Sequence, residues 1–139
     1  MQNDGISQPT LDGVNISYNA NTTQNLSTTL TSPSEQYTLT AIVDGSGHLI
    51  VTGHMPNAHT QPILASVGAY ITNNGNTTYA QPSGNVTINA SSADGVPIDF
   101  GLLPAGNSSV RLFIGAFNPT SVDGVLVSYN TNTIVSLTR

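Results

Sequence analysis

Apolar and polar residues alternate along most of this chain, and turn-forming residues break the alternation at close intervals. A period of two sends successive side chains to opposite faces of a strand, so one face can be buried while the other meets water. No long stretch carries the 3.6-residue period of a helix. Many short strands separated by frequent turns specify a sandwich or a barrel. The expected fold class is therefore all-β, with almost no helix.

The strands can be read off individually. Tyr37, Leu39, Ala41 and Val43 alternate with Thr38, Thr40 and Ile42. Asp44-Gly45-Ser46-Gly47 is a turn, and residues 49–52 return as its hairpin partner. Residues 55–62 contain two prolines and form a loop. Residues 63–72 make a long strand of apolar and small side chains. Asn73-Asn74-Gly75-Asn76 is the strongest hairpin signal, because Asn-Gly suits a type I′ turn, and residues 77–80 return from it. Pro82-Ser83-Gly84 turns the chain again, and Val86, Ile88 and Ala90 alternate as the next strand. Residues 91–97 form a loop. Residues 98–103 and 110–117 are strands flanking Pro104-Ala105-Gly106-Asn107. Residues 125–129 and 133–137 close the chain, and residues 11–19 and 26–30 open it.

A length of 139 residues suits one domain, and a chain of that size buries roughly 68% of its unfolded surface without needing staples. The expected organisation is a flexible segment over residues 1–10 and a single sandwich over residues 11–139. Sandwiches leave open edges, which Lys, Pro or bulges usually blunt. This chain has no Lys, and residues 63–72 contain neither Pro nor charge. That segment is expected to be an uncharged edge that pairs with a second copy in a two-fold homodimer.

Charge narrows the function classes. Only 6% of residues are Asp, Glu, Lys or Arg, against about 25% in typical soluble domains. Arg111 and Arg139 are the only Lys or Arg residues. Nucleic-acid binding needs many such cations to neutralise phosphates, and a polybasic membrane contact needs a cluster of them. Neither is expected. Ser, Thr and Asn supply the polarity, which is typical of exported proteins. Six Asp and one Glu leave little for acid to protonate, so the fold is expected to survive near pH 3. No apolar run is long enough to span a bilayer, and no signal peptide follows Met1. Residues 1–10 are accordingly expected to follow a removed membrane anchor or signal.

Few residues point to chemistry. The chain has no Cys, which excludes disulfides, thiolate metal sites and Cys nucleophiles. No Gly-x-Ser-x-Gly elbow occurs. Asp94 and Asp99 could form a glycosidase-like carboxylate pair, but the chain has no Trp to build a sugar platform, and Asp94-Gly95 suits a turn. No loop has the spacing of an EF-hand. His48 and His54 would lie about 20 Å apart on an extended strand, too far to share an ion. His54 and His59 flank a loop that could bring them together, but no carboxylate is close by in sequence. Solvated loop histidines are the expectation. No catalytic residue, cofactor or metal site is assigned. Seven Asn-x-Ser/Thr sequons occur, at Asn15, Asn21, Asn25, Asn76, Asn85, Asn89 and Asn107. The Ser, Thr and Asn content alone would generate roughly half as many, so they are candidate glycosylation sites on an exported surface.

The chain also repeats itself once. Residues 12–22 read Asp-Gly-Val-Asn-Ile-Ser-Tyr-Asn-Ala-Asn-Thr, and residues 123–133 read Asp-Gly-Val-Leu-Val-Ser-Tyr-Asn-Thr-Asn-Thr, identical at eight of eleven positions. Two copies do not make a solenoid. They are read either as two matched edges for assembly or as convergence within a narrow residue alphabet, and the narrow alphabet is the simpler reading.

Residues 98–117 read Ile-Asp-Phe-Gly-Leu-Leu-Pro-Ala-Gly-Asn-Ser-Ser-Val-Arg-Leu-Phe-Ile-Gly-Ala-Phe. This strand, Pro-Ala-Gly corner and strand resembles immunoglobulin-like domains of prokaryotic surface proteins, so the fold expected is an immunoglobulin-like antiparallel β-sandwich. The composition is similar to that of cell-surface proteins of thermoacidophilic archaea. Within that group, size and pattern resemble the soluble domains of the archaellum stator family FlaF, and of its partner family FlaG. The resemblance implies a non-enzymatic motility component anchored in the membrane by an N-terminal segment. It also implies a position between membrane and surface layer, and a homodimer that binds the S-layer protein and a second stator protein. The resemblance carries no motif, so it transfers no functional residue. The competing expectations are a subunit of an extracellular pilus or adhesin, completed by a neighbour's strand, and a carbohydrate-binding sandwich.

Overall fold

The computed structural model describes residues 10–15 and 33–139. The chain divides into two compact units, Met1–Thr31 and Ser32–Arg139. In the first, strands β1 (Thr10–Leu11) and β2 (Val14–Asn15) pair antiparallel around Asp12-Gly13. Both turn residues have positive φ, 54° and 78°, as a type I′ hairpin turn requires. The strand expected over 11–19 is therefore interrupted after Leu11. Residues 16–19 and the strand expected over 26–30 lie outside the described residues.

The second unit is a two-sheet sandwich built from ten strands: β3 (Ser34–Val43), β4 (His48–His54), β5 (Ile63–Asn73), β6 (Asn76–Ala80), β7 (Val86–Ile88), β8 (Ile98–Leu102), β9 (Asn107–Asn118), β10 (Ser121–Val122), β11 (Val125–Tyr129) and β12 (Asn132–Thr138). One sheet has the order β10-β11-β3-β4-β8; the other has the order β12-β9-β5-β6, with β7 also on β5. No described residue is helical, and no described helix is long and apolar enough to cross a membrane. Every strand expected between residues 37 and 137 forms. β10 was not expected, since two residues are too few to show a period. The pairing is antiparallel throughout except where β11 runs parallel to β3.

Alternation explains the core. On β5, Ile63, Ala65, Val67, Ala69 and Ile71 face inward; on β9, Val110, Leu112 and Ile114 do so. They meet Tyr37 and Leu39 of β3, Leu49 and Val51 of β4, and Phe100 of β8 in one buried cluster. Tyr37 is wholly buried, and its ring lies where a side chain on Gly53 would sit. Its hydroxyl donates to the Val86 carbonyl at 3.4 Å, and burial pushes the phenol well above its ordinary range. The β9 register slips at Gly115, which is the extra residue of a bulge: Ser66 faces Ala116, while Val67 faces Ile114. The slip changes the phase of the strand and lets Phe117 pack edge-on against Tyr37 at 5.0 Å.

The turns follow their residues. At Asn74 and Gly75 the φ angles are 49° and 78°, as Asn-Gly predicts. The Asp44 carboxylate accepts from the amides of Ser46 and His48, both at 2.9 Å, and closes the β3–β4 turn. One expectation about the edges is overturned. Residues 63–72 are not an edge, because β5 pairs with β9 on one side and with β6 and β7 on the other. Its freedom from charge reflects burial at the centre of a sheet. The long uncharged edge is instead β12, at the end of its sheet.

Candidate interaction site

Three segments that are distant in sequence converge on His59. The Asp123-Gly124 turn joins β10 to β11, with φ angles of 51° and 77°. It places the Asp123 carboxylate over the loop between β4 and β5. There Asp123 accepts from the Thr60 hydroxyl at 2.6 Å, from the Thr60 amide at 2.9 Å and from His59 Nδ1 at 2.9 Å. On the other side of the ring, Nε2 lies 2.9 Å from Glu35 Oε1 of β3. Glu35 also accepts from the Asn57 side chain at 3.0 Å.

His59 is 8% exposed. Each ring nitrogen faces a carboxylate, and an ionised carboxylate only accepts, so both nitrogens must donate. Below its raised titration the ring is an imidazolium held between two anions. The Glu35 hydrogen bond is the main force raising its titration; burial opposes it and Asp123 adds to it. Glu35 is held below the usual carboxylate range by His59 first and Asn57 second. Asp123 is held low by the Thr60 hydroxyl and amide first, then by His59. The arrangement clamps the β10–β11 hairpin to the start of β3 through the 55–62 loop. The expectation of a solvated loop histidine at position 59 is therefore corrected. The ring's partners lie 24 and 64 residues away, beyond any spacing rule. The one available signal was Asp123 itself, the first residue of the repeated segment.

His48 and His54 are half-buried, and each meets a different carboxylate: Asp99 at 2.8 Å and Asp94 at 3.1 Å. The two aspartates are thus engaged separately rather than as a pair. Asp99 is held low chiefly by the Gly101 amide and secondarily by His48. Among the described residues, no group of three or more His, Cys, Asp or Glu side chains could hold a metal ion. At His59 the two carboxylates lie on opposite ring nitrogens and cannot converge on one ion. Of the sequons, Asn76, Asn85, Asn89 and Asn107 are exposed. Asn15 begins outside the sandwich unit, at the end of β2, and Asn21 and Asn25 lie outside the described residues.

Two surface features complete the candidate site. On the outer face of the β5–β9 sheet, Tyr70, Tyr79 and Phe113 have ring centroids 5.2 to 6.0 Å apart, and the Arg111 guanidinium sits 4.7 Å over Tyr70. Phe113 and Tyr79 also cover Gly68, where a Cβ would strike both, so part of this cluster shields backbone. The second feature is the β12 edge. Its seven residues, Asn-Thr-Ile-Val-Ser-Leu-Thr, carry no charge and no Pro, and Ile134 is 66% exposed. No protein-family model and no curated protein matches the chain.

Proposed function

We propose that the chain is a non-enzymatic structural module of an exported cell-envelope assembly, joining its partners through the edges of an immunoglobulin-like sandwich. The observation that carries this reading is β12. Among the described residues this seven-residue strand, without charge, proline or bulge and bearing an isoleucine 66% exposed, pairs on one side only, and such an edge offers its backbone groups to another strand. The specific form of the proposal is the anchoring role of an archaellum stator domain. In that role the chain dimerises, stands between membrane and surface layer, and grips the S-layer protein to hold a second stator component in place. A filament or adhesin subunit is the second reading, favoured by the repeated hairpin.

Binding through backbone and apolar contacts should depend weakly on salt. The test is retention of purified S-layer protein by the chain at low and high ionic strength, alongside light scattering of the chain alone. Wild type should self-associate at micromolar concentration and retain the S-layer protein at both salts. Ile134→Lys should give monomers while leaving the fold intact, because an exposed site tolerates charge within about 0.5 kcal/mol. Monomeric wild type with no retention would overturn the proposal. Capture of a defined glycan in place of protein would replace it with sugar binding on the Tyr70–Tyr79 face.

A further inference from the structure

The hydrogen bonds at the two ends of β12 fix which of its backbone groups are already engaged. Arg139 and Gly106 exchange both amide-to-carbonyl bonds, at 3.0 and 3.2 Å. At the other end the Ile114 amide donates to the Thr131 carbonyl at 3.3 Å. In an antiparallel ladder such bonds fall on alternate residues. The register runs unbroken from Asn132↔Phe113 to Thr138↔Asn107, so both ends give the same phase. The backbones of Thr133, Val135 and Leu137 turn towards β9, and those of Asn132, Ile134, Ser136 and Thr138 turn away from it. The Asn130 side chain accepts from the Asn132 amide at 3.0 Å, which closes that end of the edge. Among the described residues, Ile134, Ser136 and Thr138 are left with an amide and a carbonyl each and no strand to receive them.

We propose that β12 pairs antiparallel with β12 of a second copy about a two-fold axis at Ser136, which carries the order β6-β5-β9-β12 of one sheet into β12-β9-β5-β6 of the other. This rests on the reading of the chain as an edge-joined module and deepens it, by naming the partner as the same chain and fixing the register. Ser136 then faces Ser136 of the second copy, and Ile134 faces Thr138 in both directions. All three free residues exchange both of their bonds, and the bond between Asn130 and Asn132 stays in place. Moving the axis to Val135 or Ile134 brings in the Asn132 amide, which Asn130 already holds. An axis at Ile134 also leaves Thr138 unpaired.

The side chains suit the same register. Val135 of each copy meets Leu137 of the other at the positions between the hydrogen-bonded pairs, where side chains approach most closely. Both are apolar, half-buried and packed against the core, so the pairing continues the core across the interface. The chain carries a net charge of -5, yet β12 carries none, so no like charges face each other across the pair. The Arg139 side chain that follows lies over Gly47 of the β3–β4 turn. Self-pairing uses the same edge on both copies, so it closes at two and leaves no free β12 for a third. Any further partner then binds at another surface.

The chain has no cysteine, so single introduced cysteines can report the register. Directly opposed residues of a hydrogen-bonded antiparallel pair have Cα atoms about 5.5 Å apart, within the reach of a disulfide. Ser136→Cys, mildly oxidised, should give about tenfold more linked dimer than Ser83→Cys, because a bound pair holds its two thiols at an effective concentration far above that of free chains. Both positions are exposed. Val135→Cys and Leu137→Cys should link when mixed and not when either is oxidised alone. Light scattering should give a mass of two chains that does not grow with concentration. A Ser136→Cys yield no higher than that of Ser83→Cys would overturn the proposal. So would self-linking of Ile134→Cys or Val135→Cys in its place, or self-linking at every position, which would mean parallel strands. Any of these, with Ile134→Lys still abolishing self-association, would reject this pairing and leave the edge reading standing. Monomeric wild type would remove both.

Discussion

β5 and β11 look alike as strings of residues, yet the structure holds them by different physics. β5 pairs along both sides and buries five inward side chains against the facing sheet. β11 meets β3 at four positions and buries one of its own side chains, Val127. Its hairpin adds only Val122 and Val127 to the core and is tied down as well by an ionic clamp on His59. Burial is insensitive to pH, whereas a clamp made of three titrating groups is not. The sandwich therefore combines a centre that should persist across pH with a hairpin that should come and go with it.

The largest effect separates the two regions by removing apolar contact from the centre. Leu112 is wholly buried on β9, so Leu112→Ala should cost about 2–5 kcal/mol. Denaturant melts at several pH values should show the same loss at each. A loss that varies with pH would mean that the centre is also held electrostatically.

The next effect belongs to the clamp. His59 titrates above its ordinary 6.5, so its contribution is complete below about pH 6.5 and is lost as pH rises through the raised value. Glu35 and Asp123 titrate below their ordinary 4.5 and 3.8, so theirs is complete above those values and is lost as pH falls through the lowered ones. The clamp should be complete between about pH 4.5 and 6.5. His59→Gln should lower the melting temperature by several degrees in that window and by less outside it. Below the lowered carboxylate values the sandwich should remain folded on its apolar centre while the hairpin loosens. An equal drop at every pH would show that His59 acts as packing alone.

The smallest effect tests the turn chemistry shared by both hairpin types. Gly75 has φ of 78° with open space around its Cα. Gly75→Ala should therefore cost about 1 kcal/mol through backbone strain alone. A neutral result by thermal melting would mean that the turn relaxes to another type.

What the sequence disclosed divides along the same line as the two regions. Period-two alternation and Gly-containing turns placed β3 to β9, β11 and β12, because burial on one face writes itself into consecutive residues. The role of residues 63–72 was misjudged, because an uncharged strand looks the same whether it is an exposed edge or the middle of a sheet. The His59 clamp was invisible, since its three members come from separate segments and only the fold brings them together. The parallel pairing of β11 with β3 was hidden for the same reason. The repeated Asp-Gly-Val segment was legible as letters, but the contacts of Asp123 with His59 and Thr60 were not.

The most direct measurement is amide hydrogen exchange, followed from pH 4.5 to 8 and corrected for intrinsic rates. The amides of Leu126 and Val127 donate to the carbonyls of Pro33 and Thr120 and report on the hairpin; Ala69 and Leu112 sit at the β5–β9 centre. The account predicts that Leu126 and Val127 lose protection as pH rises through the titration of His59, while Ala69 and Leu112 keep theirs. A single common protection factor with one pH dependence for all four amides would contradict it.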